Sequence, residues 1–326
     1  MAGEWESPDP TMLLEVFAAN ARANAGTFAA GPLGRLMLGL RTLFDRNTRS
    51  GAKRNIAAHY DLGNKFYAAW LDPTMTYSSA DFSEGANDLE AAQKQKYRAL
   101  AEAADIGSGD HVLEIGCGWG GFSIFAAREL GCRVTALTLS KAQKAFADAR
   151  IAAEGLSEQI TVVLRDYRDE KGLYDKIVSI EMFEAVGEEY WSQYFSTLAN
   201  RLKAGGSAAL QIITVRDEFF ETYRKGTDFL QTYIFPGGML PSPGRLSALG
   251  RAAQLVEGGS RSLGEDYVRT LELWRVRFEA AWPDLSAMGF DQRFRRMWLF
   301  YLHFCEAGFA RGVTDVRQVT FAKPAG

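Results

Sequence analysis

From Gly109 to Val215 the chain repeats one pattern: a short apolar run, then a helix-forming stretch, then another apolar run. "HVLEI" (111–115), "CRVTALTL" (132–139), "ITVVLRDY" (160–167), "YDKIVSIEMF" (174–183) and "SAALQIITV" (207–215) have the length and apolar content of strands. Between them, "GFSIFAAREL", "KAQKAFADARIAAEG" and "YWSQYFSTLANRLKAGG", the last closed by Gly205 and Gly206, predict helices. Strands alternating with helices at this spacing imply a parallel sheet with both faces covered. The pattern predicts an α/β, Rossmann-like sheet, whose ligands bind at the C-terminal ends of the strands.

The first such end is "VLEIGCGWGG", Val112 to Gly121, in which Gly116, Gly118 and Gly121 fit G-x-G-x-x-G. Glycines here let a ligand approach the backbone, and the following helix offers its positive end. Two adenosyl ligands use this arrangement. A dinucleotide site adds an acid at the end of the second strand, to hold the ribose. That strand ends "ALTLSKAQ", without Asp or Glu. Glu114 stands inside the first strand instead, where a carboxylate suits the cationic amino-acid end of S-adenosylmethionine. Asp166, in "RDYRD", is placed to accept from an adenine amine. The set favours S-adenosylmethionine. A nicotinamide-dependent oxidoreductase and a non-catalytic lipid- or cofactor-binding module are the alternatives, and a simple capping or solvated role is the alternative for Glu114.

Residues 1–56 read as a helical extension. After Pro32 it carries Arg35, Arg41, Arg46, Arg49, Lys53 and Arg54 against Asp45 alone, with Leu36, Met37, Leu40, Leu43 and Phe44 at helical spacing. Such a segment either packs on the main domain with solvated arginines or lies on anionic lipid. Residues 57–326 form the main domain. Within them, about 216–310 interrupt the alternation with aromatic-rich helices and loops, before "DVRQVTFAK" supplies a closing strand. This insertion is expected to cover the C-terminal strand edge. A net charge of −3 argues against generic nucleic-acid binding. The three cysteines and three histidines have no metal-ligand spacing, which argues against structural zinc or a disulfide framework and fits a reducing cytoplasm. No apolar run approaches the roughly 18 residues of a membrane span, and the acidic, Pro-containing start is unlike a signal peptide.

Seven stretches together resemble the cyclopropane-fatty-acid synthase family, which includes the mycolic acid methyltransferases. They are "HYDLGNKFYAAWLDPTMTYSSADF", "VLEIGCGWGGFSIFAA", "VTALTLSKAQ", "DYRD", "VSIEMFEAVG", "YIFPGGMLPS" and "AWPDL…FRRMWLFYLHFCEAGF", in family order over roughly residues 57–322. The resemblance implies methyl transfer from S-adenosylmethionine to a double bond in an acyl chain, commonly within a membrane phospholipid. It also implies a peripheral association with the inner face of the membrane, and leaves the oligomeric state open. By the same resemblance Tyr77 and Ser78 contact the methionine portion, Gly116 and Gly118 floor the pocket, and Thr138 and Gln143 sit by ribose and methionine. Asp166 and Tyr167 hold adenine. Glu184 and Tyr267 match the glutamate and tyrosine around a bound bicarbonate near the reacting carbon.

This chain departs from the better-known synthases at Ser79, where they have cysteine, at Gln211, where they have histidine, and at Ala185, where they have another histidine. Gln and Ser can hydrogen-bond an anion but cannot carry a protonated histidine's charge. An isolated alkene has no proton to remove before attack, so a nucleophile-activating base is not required. Methyl addition leaves a carbocation, which aromatic faces stabilise by about 0.5–2 kcal/mol each when desolvated. Proton loss from the new methyl closes a cyclopropane; loss from a neighbouring chain carbon leaves a methyl-branched alkene. Glu184, or an anion held by Glu184, Gln211 and Tyr267, is the candidate base, with Ser79 nearby. The acyl tunnel is expected in the 216–310 segment.

Overall fold

The computed structural model describes residues 3–20, 47–49, 51–52 and 62–326. Its centre is a seven-stranded sheet in the order β3-β2-β1-β4-β5-β7-β6. The strands are β1 (His111–Ile115), β2 (Arg133–Thr138), β3 (Ile160–Leu164), β4 (Tyr174–Ile180), β5 (Leu202–Val215), β6 (Val256–Ser262) and β7 (Thr314–Ala322). β1 to β5 are mutually parallel, and β7 runs antiparallel between β5 and β6. The order reverses between β1 and β4. At that point the connections leave to opposite faces and a crevice opens beyond the carboxyl ends of both strands.

The main helices are α1 (Pro10–Ala19), α2 (Leu89–Ala103), α3 (Gly121–Phe125), α4 (Lys141–Ala153), α5 (Trp191–Arg201), α6 (Gly264–Ala280) and α7 (Gln292–Ala310). Their starts follow from capping side chains. The Asp9, Asp88, Ser140 and Asp291 oxygens accept the N–H groups of Met12, Ala91, Gln143 and Phe294, which the helices cannot satisfy themselves. α3 continues as a π-helical turn over Ala126–Leu130.

Two expectations shift. The helix expected to end at Gly205 and Gly206 ends at Arg201, and β5 begins at Leu202 with an irregular register opposite Tyr174 and Lys176. The 216–310 segment, expected to hold helices and loops only, also contains β6. Its sequence, VEGGSRS, is almost wholly exposed and carries no apolar alternation, so burial could not betray it.

α6 and α7 pack together over the crevice around an aromatic core that includes Phe66, Trp70, Trp274, Phe278 and Trp298. α1 lies on α7, fixed by Thr11 Oγ1 against His303 Nδ1 at 2.6 Å and by an ion pair of Glu15 with Arg311 at 2.7 Å. Of the basic segment, Arg35, Arg41, Arg46, Lys53 and Arg54 lie outside the described residues. Arg49 pairs with Asp169 at 2.6 Å. Among the described residues, no helix is long and apolar enough to cross a membrane, and no cluster of His, Cys, Asp and Glu could hold a metal ion.

Candidate active site

The crevice between the β1 and β4 ends holds a cavity of about 160 Å³, bordered by Tyr77, Ser78, Glu114, Gly116, Gly118, Thr138, Gln143 and Tyr167. Eight of the nine residues expected to hold the cofactor therefore share one wall. Gly116 has φ +86°, and a Cβ there would stand 2.6 Å from Met182 Cγ, so any side chain would strain the turn and collide with Met182 on the cavity wall. Glu114 is buried in β1, accepts from Ser123 Oγ, and is pushed up to about 7 by burial. Thr138 Oγ1 donates to Gln143 Oε1 at 2.8 Å, which fixes the amide at the mouth of β2.

The ninth residue, Asp166, stands behind the wall. Its two oxygens accept from Arg168 Nε at 2.8 Å and from an Arg168 terminal nitrogen at 2.6 Å, and it caps the short turn Tyr167–Asp169. Burial opposes the charge, but the Arg168 guanidinium holds the Asp166 carboxyl below its ordinary value. Arg165 and Tyr167, on either side of it, border the cavity instead.

A second cavity of about 450 Å³ extends between the β5 end, α7 and the 228–240 segment, within the usual size of small-molecule sites. Its wall is largely apolar and aromatic, including Ile213, Leu230, Phe235, Met239, Tyr301 and Phe309, with Leu14, Phe17 and Ala18 of α1 at one side. The expected tunnel thus draws on the 216–310 segment, α7 included, and also on α1 and the end of β5. Tyr77, Glu181 and Ala185 border both cavities.

Of the four expected catalytic residues, Glu184 and Tyr267 border the larger cavity, whereas Ser79 and Gln211 are fully buried behind it. Three of the four converge on a residue the sequence reading passed over. Glu181 Oε1 accepts from Ser79 N–H at 2.8 Å and Gln211 Nε2 at 2.8 Å, and Oε2 accepts from Tyr267 OH at 2.9 Å. Reading "YDKIVSIEMF" as one strand hid Glu181 inside it. β4 in fact ends at Ile180, and Glu181 turns the chain with φ +48°, a region that side-chain-bearing residues rarely adopt. Such strain gathers at functional sites. The detectable signal was a carboxylate at the carboxyl end of the fourth strand.

The orientation of Gln211 is set from the far edge of the sheet. Arg261 on β6, Gln318 on β7 and Gln211 on β5 lie in one cross-strand row. Arginine can only donate, and Arg261 Nε donates to Gln318 Oε1 at 3.1 Å. The Gln318 amide nitrogen therefore faces Gln211 Oε1, at 3.0 Å, which leaves Gln211 Nε2 directed at Glu181.

Glu184 is placed differently. In a short turn after β4, its Oε1 accepts from Ile213 N–H at 2.5 Å, while its buried Oε2 has no hydrogen-bond partner among the described residues. Burial and then the neighbouring Glu181 charge push its carboxyl up to about 8. Burial also pushes Glu181 up, opposed by Lys96 and the three donors. Lys96, on α2, was likewise unmarked in the sequence. It is completely buried, donates to Ser78 Oγ at 2.6 Å, and is pushed down to about 7 by burial against the pull of Glu181, Asp72 and Glu114.

The profile of the mycolic acid cyclopropane synthetases matches residues 47–319. The chain is 40% identical over 331 residues to tuberculostearic acid methyltransferase of Mycobacterium tuberculosis, covering 99% of this chain and 77% of that protein. It is 36% identical over 265 residues to cyclopropane-fatty-acyl-phospholipid synthase of Escherichia coli, covering 81% of this chain and 66% of that one. Among solved structures, a mycolic acid cyclopropane synthase complexed with SAH and CTAB aligns with TM-score 0.78 and 31% identity, over 83% of this chain and 98% of the other.

Proposed function

Because the chain belongs to the mycolic acid cyclopropane synthetase family of S-adenosylmethionine-dependent methyltransferases acting on lipid acyl chains, we propose that it methylates the double bond of an unsaturated acyl chain in a membrane phospholipid. The product is a cyclopropane or a methyl-branched chain. One observation carries the reading: a polar crevice at the glycine turn meets a larger greasy cavity at Tyr77, Glu181 and Ala185.

The crevice fits S-adenosylmethionine. Gly116 leaves room where a Cβ would collide, and the buried Glu114 carboxyl suits an ammonium group. Tyr77, Ser78, Glu114, Gly116, Gly118, Thr138, Gln143 and Tyr167 would hold it, with Asp166 shaping the turn that carries Tyr167. When bound, it supplies a methyl already activated on a sulfonium. The protein's own work is to hold the alkene against the junction, exclude water from it, and receive a proton afterwards. Tyr77, Tyr267 and Tyr301 present rings around that junction, and Tyr77 and Tyr301 hold each other through their hydroxyls at 2.7 Å. Such faces suit the transient positive charge left on the chain.

A phospholipid substrate requires the protein to reach a bilayer. α1 exposes Met12, Val16 and Phe17 while its Leu14, Phe17 and Ala18 border the larger cavity, which supports contact with lipid through this helix. The deciding experiment supplies methyl-labelled S-adenosylmethionine and vesicles of unsaturated phospholipid, then records proton NMR of the recovered chains. Upfield cyclopropyl signals identify ring closure and vinylic signals beside a new methyl identify branching. No label in the lipid refutes the proposal.

A further inference from the structure

The family resemblance implies a bicarbonate gripped near the reacting carbon, and the residues present do not fit it. The Ser79 N–H, the Gln211 amide and the Tyr267 hydroxyl are the donors left for such an anion, and all three are already occupied by Glu181. Ser79 Oγ turns away to donate to Ala80 O at 3.0 Å. A second anion at this point would find these three donors taken and would face the Glu181 charge at close range. The histidine that could offset it is absent, since Gln211 is neutral.

We infer that the Glu181 carboxylate replaces the dissolved anion and is itself the base of the reaction. The inference rests on the methyl transfer proposed above. After the methyl is added, one C–H bond breaks, either on the new methyl, which is two carbons from the cationic carbon, or on a chain carbon beside the cationic carbon. Its electron pair closes the ring if the hydrogen leaves the new methyl, or forms a double bond if it leaves a neighbouring chain carbon. The proton goes to Glu181 and is passed to solvent before the next turnover.

Position favours Glu181 over Glu184. Glu181 borders both cavities and so faces the point where methyl and alkene meet, whereas Glu184 borders only the larger one. The negative charge also has support only at Glu181, from three donors and from the nearby Lys96 ammonium. Glu184 has a single donor, Ile213 N–H. Two carboxylates this close do not both ionise readily, and the one with more donors keeps the charge. Ser79, Gln211, Gln318 and Arg261 then act as positioning residues, with no contact to the reacting atoms.

The test compares turnover of labelled S-adenosylmethionine on dioleoyl phosphatidylglycerol vesicles in carbonate-free buffer, with and without added bicarbonate. The wild-type rate is expected to be the same in both, and a stimulation of about fivefold or more overturns the inference. Glu181→Gln is expected to lower kcat by about a hundredfold or more, with S-adenosylhomocysteine affinity within about threefold as the check on folding. Glu181→Ala is expected to lose as much and to recover part of it with formate, a small carboxylate that can enter the vacated space. A Glu181→Gln enzyme with kcat within about threefold of wild type overturns the inference. If neither variant folds, the bicarbonate arm on the wild type decides. A wild type that methylates no lipid refutes the reaction itself, a result distinct from any of these.

Discussion

Replacing Glu184 by Gln should stabilise the protein, and the gain should grow with pH. The Glu184 carboxyl lies buried with one backbone donor, an unpartnered oxygen and the Glu181 charge nearby, and its affinity for a proton rises from 4.5 to about 8. A raised carboxyl means that the folded protein keeps a proton the unfolded chain has lost. Its contribution is therefore fully present below 4.5 and disappears as pH rises through about 8. Each tenfold in proton affinity is worth about 1.4 kcal/mol, so the ceiling is about 5 kcal/mol. Relaxation and water entry around the buried charge reduce this to about 2 kcal/mol. Glutamine keeps the acceptor for Ile213 N–H and cannot ionise. Urea denaturation at fixed ionic strength, from pH 5 to pH 9, should give curves that nearly coincide at the acid end and separate by about 2 kcal/mol at the alkaline end. The difference between the two proteins cancels every other titrating group not coupled to this one. A difference that is flat with pH, or that shrinks as pH rises, refutes the argument.

Gln318→Leu removes the acceptor of Arg261 and the donor that orients Gln211. kcat should fall about tenfold with KM little changed, and the acidic limb of the pH–rate profile should move to higher pH, because a carboxylate that loses a donor holds its proton more tightly. An unmoved limb would reduce Gln318 to a packing role. Met12→Asp together with Val16→Asp, both on the exposed face of α1, should weaken sedimentation with phosphatidylglycerol vesicles by about tenfold while leaving S-adenosylhomocysteine binding intact. Unchanged sedimentation would remove α1 from the lipid contact.

The part of the sheet that builds the cofactor crevice was readable, because β1 to β5 carry largely buried apolar runs between helices. The edge that tunes the site was not. β6 is exposed and glycine-rich, so the row from Arg261 through Gln318 to Gln211 exists only once the register is known. Gln211 was marked by the resemblance, as a position where the better-known synthases have histidine, but its partner Glu181 was not anticipated. Glu184 and Glu181 are three residues apart, and no periodicity states which one the strand end will turn inward. The backbone decides this by reversing at Glu181. Lys96 was hidden for a plainer reason: in "LEAAQKQKYRALAEA" it is one charged residue among several, and only packing separates the buried lysine from its solvated neighbours.

The left-handed turn at Glu181 also bears on how this enzyme and its surroundings are linked. At φ +48° glycine would be the most comfortable occupant of the position, so backbone ease and the carboxylate pull in opposite directions there. A Glu181→Gly change would relieve the backbone by about 1 kcal/mol and would remove the carboxylate inferred above to take the proton. On that inference the strained turn is what ties the proton acceptor to the chain, where it needs no partner from solution.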